Sequence, residues 1–189
     1  MKMKDDMLLF HGSYTPVEKI DLSMCMEGKD FGSGFYLTSS VIQAKGFIRT
    51  SVLKAQRMGN AVLDQNYGYV SSFRYHEDSL KIFEFKDTYR EWLWFIAQNR
   101  RPYLSKRLAG KVNPDAFWAD VVIGKVANDK TNPTITTYLN GLYGDILSDR
   151  AVRFAIEELL PNQLEDQFCF RTEQAVACLD FQEARKYDL

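Results

Sequence analysis

The sequence predicts one α+β domain, because strands and helices are mixed along it without the strict alternation of a doubly wound parallel sheet. Short apolar runs bounded by turn residues, which indicate strands, are interspersed with segments whose apolar residues recur at helical spacing. Hydrophobic residues make up 46% of the 189 residues and aromatic residues 14%, which is typical of a folded protein with a substantial core. No internal repeat, low-complexity tract or linker divides the chain, and we therefore expect a single domain over residues 1–189.

The first half of the chain predicts two short strands, a long helix and two further strands. Residues 7–11 form an apolar run typical of a buried strand, residues 15–29 an irregular connection with at most one short helical turn, and residues 35–38 a second strand. Ser39 or Ser40 is expected to cap a helix that ends near Met58, before Gly59 and Asn60. The apolar residues on one face of this helix are Val41, Ala44, Phe47 or Ile48, and Val52. Residues 69–75 and 80–85 indicate two strands connected through residues 76–78.

The second half predicts two helices, with a basic loop and a buried strand between them. Apolar residues at helical spacing predict a helix over residues 87–100, whereas residues 100–114 carry five basic side chains without periodicity and indicate a loop. Residues 118–126 are typical of a buried strand, and residues 134–143 fit a helix or a strand equally. A helix over residues 149–160 ends at Pro161. Strands over residues 167–171 and 178–181 complete the prediction.

Charge and composition exclude several classes of protein. The 24 Lys and Arg residues balance the 25 Asp and Glu residues, so no global field recruits nucleic acid or an anionic membrane. No apolar run is long enough for an ordinary membrane-spanning helix, and the charged N-terminus lacks the apolar core of a signal peptide. The three cysteines do not have the spacing of metal ligands or of a disulfide framework. We expect a cytoplasmic protein that uses no metal and does not bind a membrane.

Two segments near the N-terminus carry the functional information. In the first, Phe10 is followed by His11, Gly12 and Ser13 at the end of a strand; in the second, Gly32 and Gly34 lead into a strand that carries Tyr36. In this order and spacing the two segments resemble the NAD-binding half of the ADP-ribosyltransferase fold, in the His-Tyr-Glu clade that contains diphtheria toxin and the poly(ADP-ribose) polymerases. The resemblance covers residues 8–47 closely.

Beyond residue 47 the chain resembles a bacterial family of small stand-alone ADP-ribosyltransferase-like proteins. The residues that carry this wider resemblance are 120–124, 127–129 and 166–172. The resemblance implies a split β-sandwich with flanking helices and NAD as co-substrate. It also implies that His11 binds a ribose hydroxyl and Gly12 the nicotinamide amide, with Ser13 and Gly34 beside the cofactor. Tyr36 and Phe47 would enclose the nicotinamide ring between them, an arrangement worth about 0.5–1.5 kcal/mol beyond burial.

The third catalytic position departs from the clade. Cleavage of the nicotinamide–ribose bond places positive charge on the ribose, and the clade has a glutamate at the start of a late strand to stabilise that charge. Here the matching residue is Gln167, which can form the hydrogen bond but carries no charge. Glu165 lies two residues earlier and faces the same side if the strand extends that far. We expect Gln167 to be the positional match, with Glu165 as the alternative.

The resemblance predicts an NAD-dependent mono-ADP-ribosyltransferase that modifies a protein or nucleic-acid acceptor. A role as an intracellular toxin or phage-defence effector, with a small antitoxin protein as partner, follows from the same analogy. Two alternatives stay open because Gln167 replaces a glutamate. One is a catalytically inactive module that binds NAD or ADP-ribose, and the other is an NAD glycohydrolase that transfers nothing to a macromolecule.

Overall fold

The computed structural model describes residues 3–86, 89–126, 131–161 and 164–189, which form seven strands and six helices. The strands are β1 (Met7–Ser13), β2 (Phe35–Thr38), β3 (Tyr67–Tyr75), β4 (Ile82–Glu84), β5 (Val121–Lys125), β6 (Asp166–Phe170) and β7 (Leu179–Asp188). The helices are α1 (Val41–Arg57), α2 (Tyr89–Arg100), α3 (Asp115–Trp118), α4 (Asn132–Leu139), α5 (Asp149–Leu159) and α6 (Glu173–Ala177). The α+β prediction is therefore confirmed.

All seven strands belong to one sheet, in the order β4-β5-β6-β2-β1-β3-β7. Strand β1 pairs with β3 over its whole length, from Met7↔Tyr75 to Ser13↔Tyr69. Within the described chain, β1 and β2 pair at one register position, Phe10↔Thr38. The sheet therefore consists of two halves that separate beyond this point, and a cleft opens between them. This architecture is compatible with the predicted split β-sandwich.

The core covers both faces of the sheet. Residues of α2, α4 and α5 form one apolar cluster, in which Trp92, Phe95 and Tyr138 are fully buried, together with Cys169 of β6. Phe168 and Phe170 of the same strand belong to a second cluster on the other face. Because successive side chains of a strand point to opposite faces, the separation of these residues means that β6 is buried on both sides. Helix α1 packs on β1 and β3 through Ala44, Ile48 and Val52.

Several elements that local sequence signals predicted are present in the structure. The observed bounds of β2 agree with the prediction, and Ser40 Oγ caps α1 by accepting from the Gln43 N–H at 3.3 Å. The single helical turn expected in residues 15–29 is the 3₁₀ helix Leu22–Met24. Helix α5 ends at Leu159, and its C-cap Leu160, whose backbone is left-handed (φ 45°), leads into Pro161. Among the described residues, no helix is long and apolar enough to span a membrane.

The strand predicted over residues 118–126 is shorter than expected. The side chain of Asn113 accepts from the Asp115 N–H at 3.0 Å, and Pro114 precedes the short helix α3. This helix takes up Trp118, so that β5 begins only at Val121. The loop over residues 100–114 contains the 3₁₀ helix Pro102–Leu104, and the segment is anchored in the core by three buried residues, Leu104, Leu108 and Val112.

The largest error concerns the C-terminus. The strand predicted over residues 178–181 is the ten-residue strand β7, which pairs with β3 along the edge of the sheet. Its second half is largely exposed and polar, so the apolar alternation that would have indicated a strand is missing.

The ambiguous residues 134–143 overlap helix α4. The strands predicted over 69–75 and 80–85 lie far apart in the sheet order. Residues 87–88 of the predicted second helix and residues 127–129 of the wider resemblance lie outside the described residues.

Candidate functional site

A cleft of about 1160 Å³ opens where β1 and β2 separate. Its walls come from the ends of these two strands, the inward face of α1, the loop over residues 14–34 and the segment around Arg100. Seven of the eight residues that the sequence predicted as site residues border it: His11, Gly12, Ser13, Gly34, Tyr36, Phe47 and Gln167. Six of these lie within residues 11–47, and the pairing of β2 with β6 brings the seventh, Gln167, beside them. Ser13 is buried, and Phe47 is half-buried on α1.

His11 bridges the gap that β1 and β2 leave. Its ring atom Nδ1 lies 2.8 Å from the carbonyl oxygen of Tyr36, and its ring packs against Phe35 with the centroids 4.5 Å apart. Because a carbonyl oxygen only accepts hydrogen bonds, Nδ1 carries the proton and Nε2 is the acceptor of the neutral ring. Burial lowers the pKa of His11 from 6.5 to about 4, although the hydrogen bond to Tyr36 acts in the opposite direction. At neutral pH the cleft therefore contains an uncharged imidazole whose Nε2 has no partner among the described residues.

Tyr36 stabilises the loop that precedes it. Its hydroxyl donates to the carbonyl oxygen of Gly32 at 2.7 Å and accepts from the N–H of Phe31 at 3.0 Å. Burial raises the pKa of this hydroxyl well above its ordinary value, so it stays protonated. The ammonium of Lys29 lies 5.1 Å from the centroid of the ring. The hydroxyl is thus bound by the backbone of the preceding loop, and Tyr36 borders the cleft.

Two glycines of the predicted site are required by packing. A Cβ on Gly12 would lie 1.9 Å from the carbonyl oxygen of Ala44, because α1 crosses directly over β1 at this point. A Cβ on Gly34 would lie 2.6 Å from Cys169 Sγ. Both residues were predicted to lie beside the cofactor. Their proximity to the cleft agrees with that assignment, while the close approach of neighbouring elements gives each glycine a structural reason that is independent of any ligand.

Gln167, the residue predicted for the third catalytic position, lies on β6, beside the end of β2. Gln167 pairs in register with Thr38, and the residue is 7% exposed. Cross-strand partners in a sheet have their Cβ atoms about 4.5–5.5 Å apart, so Gln167 and Thr38 are direct neighbours. Glu165 precedes β6, is exposed, and is not part of the cleft wall that the described residues form. The strand therefore does not extend to Glu165, and the structure brings Gln167 alone into the cleft.

Gln43 is a site residue that sequence reasoning missed. It lies in the first turn of α1, where its Oε1 accepts from the Thr38 hydroxyl at 2.9 Å. Its Nε2 is buried and has no hydrogen-bond partner among the described residues. A buried amide donor without a partner costs about 1–3 kcal/mol. The sequence feature that could have identified Gln43 is a polar residue in the first turn of a capped helix, next to the apolar residues that pack on the sheet.

A largely buried ion pair anchors the loop wall of the cleft. Arg100 Nε lies 2.6 Å from Asp30 Oδ1, with the two side chains 16% and 9% exposed. The same guanidinium donates to Asn132 Oδ1 at 2.7 Å, and the side chain of Asn99 donates to the Asp30 carbonyl at 3.1 Å. The predicted basic loop therefore contributes its first residue, Arg100, to the structure of the site. In the described part of the chain, no group of three or more His, Cys, Asp and Glu side chains is placed to hold a metal ion.

Comparison with protein families gives a match for almost the whole chain, over residues 7–181. Comparisons with curated proteins and with solved structures give no match. The matched range contains β1 to α6 and the beginning of β7, and with them every residue of the cleft described above. The chain therefore belongs to the family described as "Protein of unknown function (DUF3990)".

Proposed function

We propose that this protein binds NAD in the cleft between β1 and β2 and transfers its ADP-ribose group to a macromolecular acceptor. The proposal includes the finer fold assignment, an ADP-ribosyltransferase-like split β-sandwich. One observation carries it: His11 is a neutral imidazole with Nδ1 bound to the Tyr36 carbonyl and Nε2 without a partner among the described residues. Such a ring is an acceptor of fixed orientation, as a ribose hydroxyl requires, and the aromatic residue expected beside nicotinamide follows directly on the adjacent strand.

In the proposed complex, the Nε2 atom of His11 accepts a hydrogen bond from a ribose hydroxyl. The rings of Tyr36 and Phe47 enclose the nicotinamide, and the backbone at Gly12 and Ser13 binds its amide. This backbone lies beyond the junction with β2, so one of its edges borders the cleft instead of a neighbouring strand. The uncharged state of His11 supports this role, because a protonated ring would repel the positive charge that develops on the ribose.

The transfer step exchanges one bond at the ribose. The bond from the ribose C1′ to the nicotinamide nitrogen breaks, and its electron pair leaves with neutral nicotinamide. A nucleophilic atom of the acceptor bonds to C1′ and releases its proton to solvent. Gln167 can hold a ribose hydroxyl through its amide, but it does not supply the negative charge of a glutamate. For this reason we propose transfer of a single ADP-ribose unit to a protein or nucleic acid rather than synthesis of a polymer.

The size of the cleft supports a second substrate. Small-molecule sites are commonly about 300–1,000 Å³, and the cleft of about 1160 Å³ is larger than this range. A cleft of that size has room for an acceptor side chain or base beside a dinucleotide. The roles of toxin or phage-defence effector, and a small antitoxin as partner, rest on the family resemblance and on no residue of the cleft.

A catalytically inactive binding module is the second candidate. The observation that favours it is the environment of Gln167, where the described neighbours Thr38 and Gln43 are also uncharged and Glu165 is exposed outside the cleft. A site without a carboxylate beside the ribose can bind NAD without stabilising its cleavage. An NAD glycohydrolase is the third candidate, in which water replaces the acceptor.

Incubation with NAD labelled on its adenylate part, in cell lysate, separates the three candidates. Free nicotinamide together with label on protein or nucleic acid supports the transferase, and nicotinamide without label on macromolecules supports the glycohydrolase. Binding of NAD without release of nicotinamide supports the module. In the first two cases we expect His11→Ala to abolish NAD turnover and the matched variant His76→Ala, at the other and exposed histidine, to retain it. Turnover by His11→Ala at the wild-type rate refutes the site.

A further inference from the structure

One wall of the cleft carries two cations, Lys29 and Arg101, for which the described residues provide no ion-pair partner. Lys29 lies in the loop that covers the cleft, and its ammonium is 5.1 Å from the centroid of the Tyr36 ring. Burial is the main cause of the lowered pKa of His11, and the charge of this ammonium lowers the pKa further. Lys29 therefore lies near both residues that the proposed function assigns to nicotinamide and ribose. In the parts of the chain that the structure describes, Lys29 has no ion-pair partner.

The nearest acidic residue in sequence does not neutralise Lys29. Asp30 is bound by Arg100 at 2.6 Å, and this largely buried pair matches one negative with one positive charge. Lys29 immediately precedes Asp30 in the chain and Arg101 immediately follows Arg100, and both border the cleft. Arg101 donates to the backbone carbonyl of Arg100 at 3.5 Å, and the described residues offer it no carboxylate. The ion pair thus holds two further cations at the same wall.

The beginning of α4 adds to this potential. The helix starts at Asn132, which receives the second hydrogen bond of Arg100, and both Asn132 and Thr136 border the cleft. Its first turn has no acidic residue. The N-terminal end of a helix carries a partial positive charge of about half an elementary charge. Lys29, Arg101 and the beginning of α4 therefore all border the same cleft.

We propose that Lys29 and Arg101 bind the pyrophosphate group of a nucleoside diphosphate, with the attached ribose directed towards His11. A pyrophosphate fits this wall because its two phosphates extend over several ångströms and carry separate charges, as the two cations do. A single carboxylate would engage only one of them. The proposal rests on the same cleft as the proposed function and names the chemical class of its ligand, but it requires binding alone and no cleavage of NAD.

Isothermal titration calorimetry of the full chain with ADP-ribose, inorganic pyrophosphate and adenosine tests this site. We expect ADP-ribose to bind at least tenfold more weakly to Lys29→Gln and to Arg101→Gln, which corresponds to about 1.4 kcal/mol. Lys29→Arg keeps the charge and should retain affinity within about threefold. Lys106→Gln is the matched control, since Lys106 is an exposed cation of the same basic segment outside the cleft wall, and it should bind as the wild type does. The affinity for adenosine should be the same in all variants.

Three results would overturn the proposal. The first is equal affinity of Lys29→Gln and wild type for ADP-ribose in proteins with the same melting temperature. The second is equal weakening by Lys106→Gln, which would indicate a diffuse charge effect. The third is no binding of ADP-ribose or pyrophosphate to the wild type. The outcome is separable from that of the proposed function. ADP-ribose binding that depends on Lys29, without nicotinamide release, refutes catalysis and supports this pyrophosphate site. NAD turnover that is insensitive to Lys29→Gln and Arg101→Gln refutes this pyrophosphate site and supports catalysis.

Discussion

Acidification from about pH 7.5 to about pH 5 is expected to destabilise the protein through His11. Burial lowers the pKa of this residue in the folded state from 6.5 to about 4. The unfolded chain therefore takes up a proton at this position first as the pH falls, and stability decreases between pH 6.5 and about 4. Integration over these two pKa values gives a loss of about 2 kcal/mol at pH 5 relative to pH 7.5. This is a large part of the 5–15 kcal/mol that typically stabilises a domain.

Urea unfolding at the two pH values measures this loss directly, with each protein compared with itself. The chain has two histidines, which provides a matched pair of variants. His11→Asn keeps a donor that can reach the Tyr36 carbonyl but cannot take up a proton, so its difference between the two pH values should shrink by about 2 kcal/mol. His76→Asn removes the exposed histidine and should retain the full difference. An unchanged difference in His11→Asn would refute the assignment of a buried neutral imidazole at the cleft.

The carboxyl groups of Asp21 and Asp145 contribute little over this range. Hydrogen bonds from Ser23 lower the pKa of Asp21, and hydrogen bonds from the Leu147 N–H and from Arg107 lower the pKa of Asp145. The stabilisation that such groups provide is present above the unfolded pKa of 3.8 and is lost as the pH falls below it. Measurement at about pH 5 therefore isolates the effect of the histidine from that of these carboxylates.

Further substitutions test the packing and the chemistry of the cleft. Gly12→Ala places a Cβ 1.9 Å from the Ala44 carbonyl and should cost more than about 3 kcal/mol in urea unfolding, whereas Gly46→Ala, on the open face of α1, should be neutral or stabilising by up to about 1 kcal/mol. Tyr36→Phe leaves two backbone groups without their partner and should cost about 1–3 kcal/mol; a smaller loss would mean that water replaces the hydroxyl. Gln167→Glu should change NAD turnover at least tenfold, about 1.4 kcal/mol in the barrier, and an unchanged rate would remove Gln167 from the site.

Short-range signals in the sequence were sufficient for the elements on which the site is built. Strand β2 and the start of α1 were predicted correctly, because the two glycines, the β-forming run from Phe35 and the Ser40 cap act over a few residues. Seven of the eight predicted site residues border one cleft for the same reason. Their assignment to NAD came from resemblance to a family and remains a proposal. The chemistry of an isolated His-Gly-Ser segment or of a single tyrosine would not have indicated a cofactor.

Long-range contacts decided what the sequence could not indicate. Strand β7 is held by β3 along the sheet edge, so its polar second half needs no apolar pattern. The lowered pKa of His11 depends on burial by residues distant in the chain, and Gln43 belongs to the site only because Thr38 and Gln167 are register neighbours. Arg100, predicted at the end of a helix and the start of a basic loop, forms an ion pair with Asp30, 70 residues away in the chain. Local sequence determines where strands and helices begin, whereas the single-position junction between β1 and β2 creates the cleft, because only the folded sheet determines which backbone edges remain unpaired.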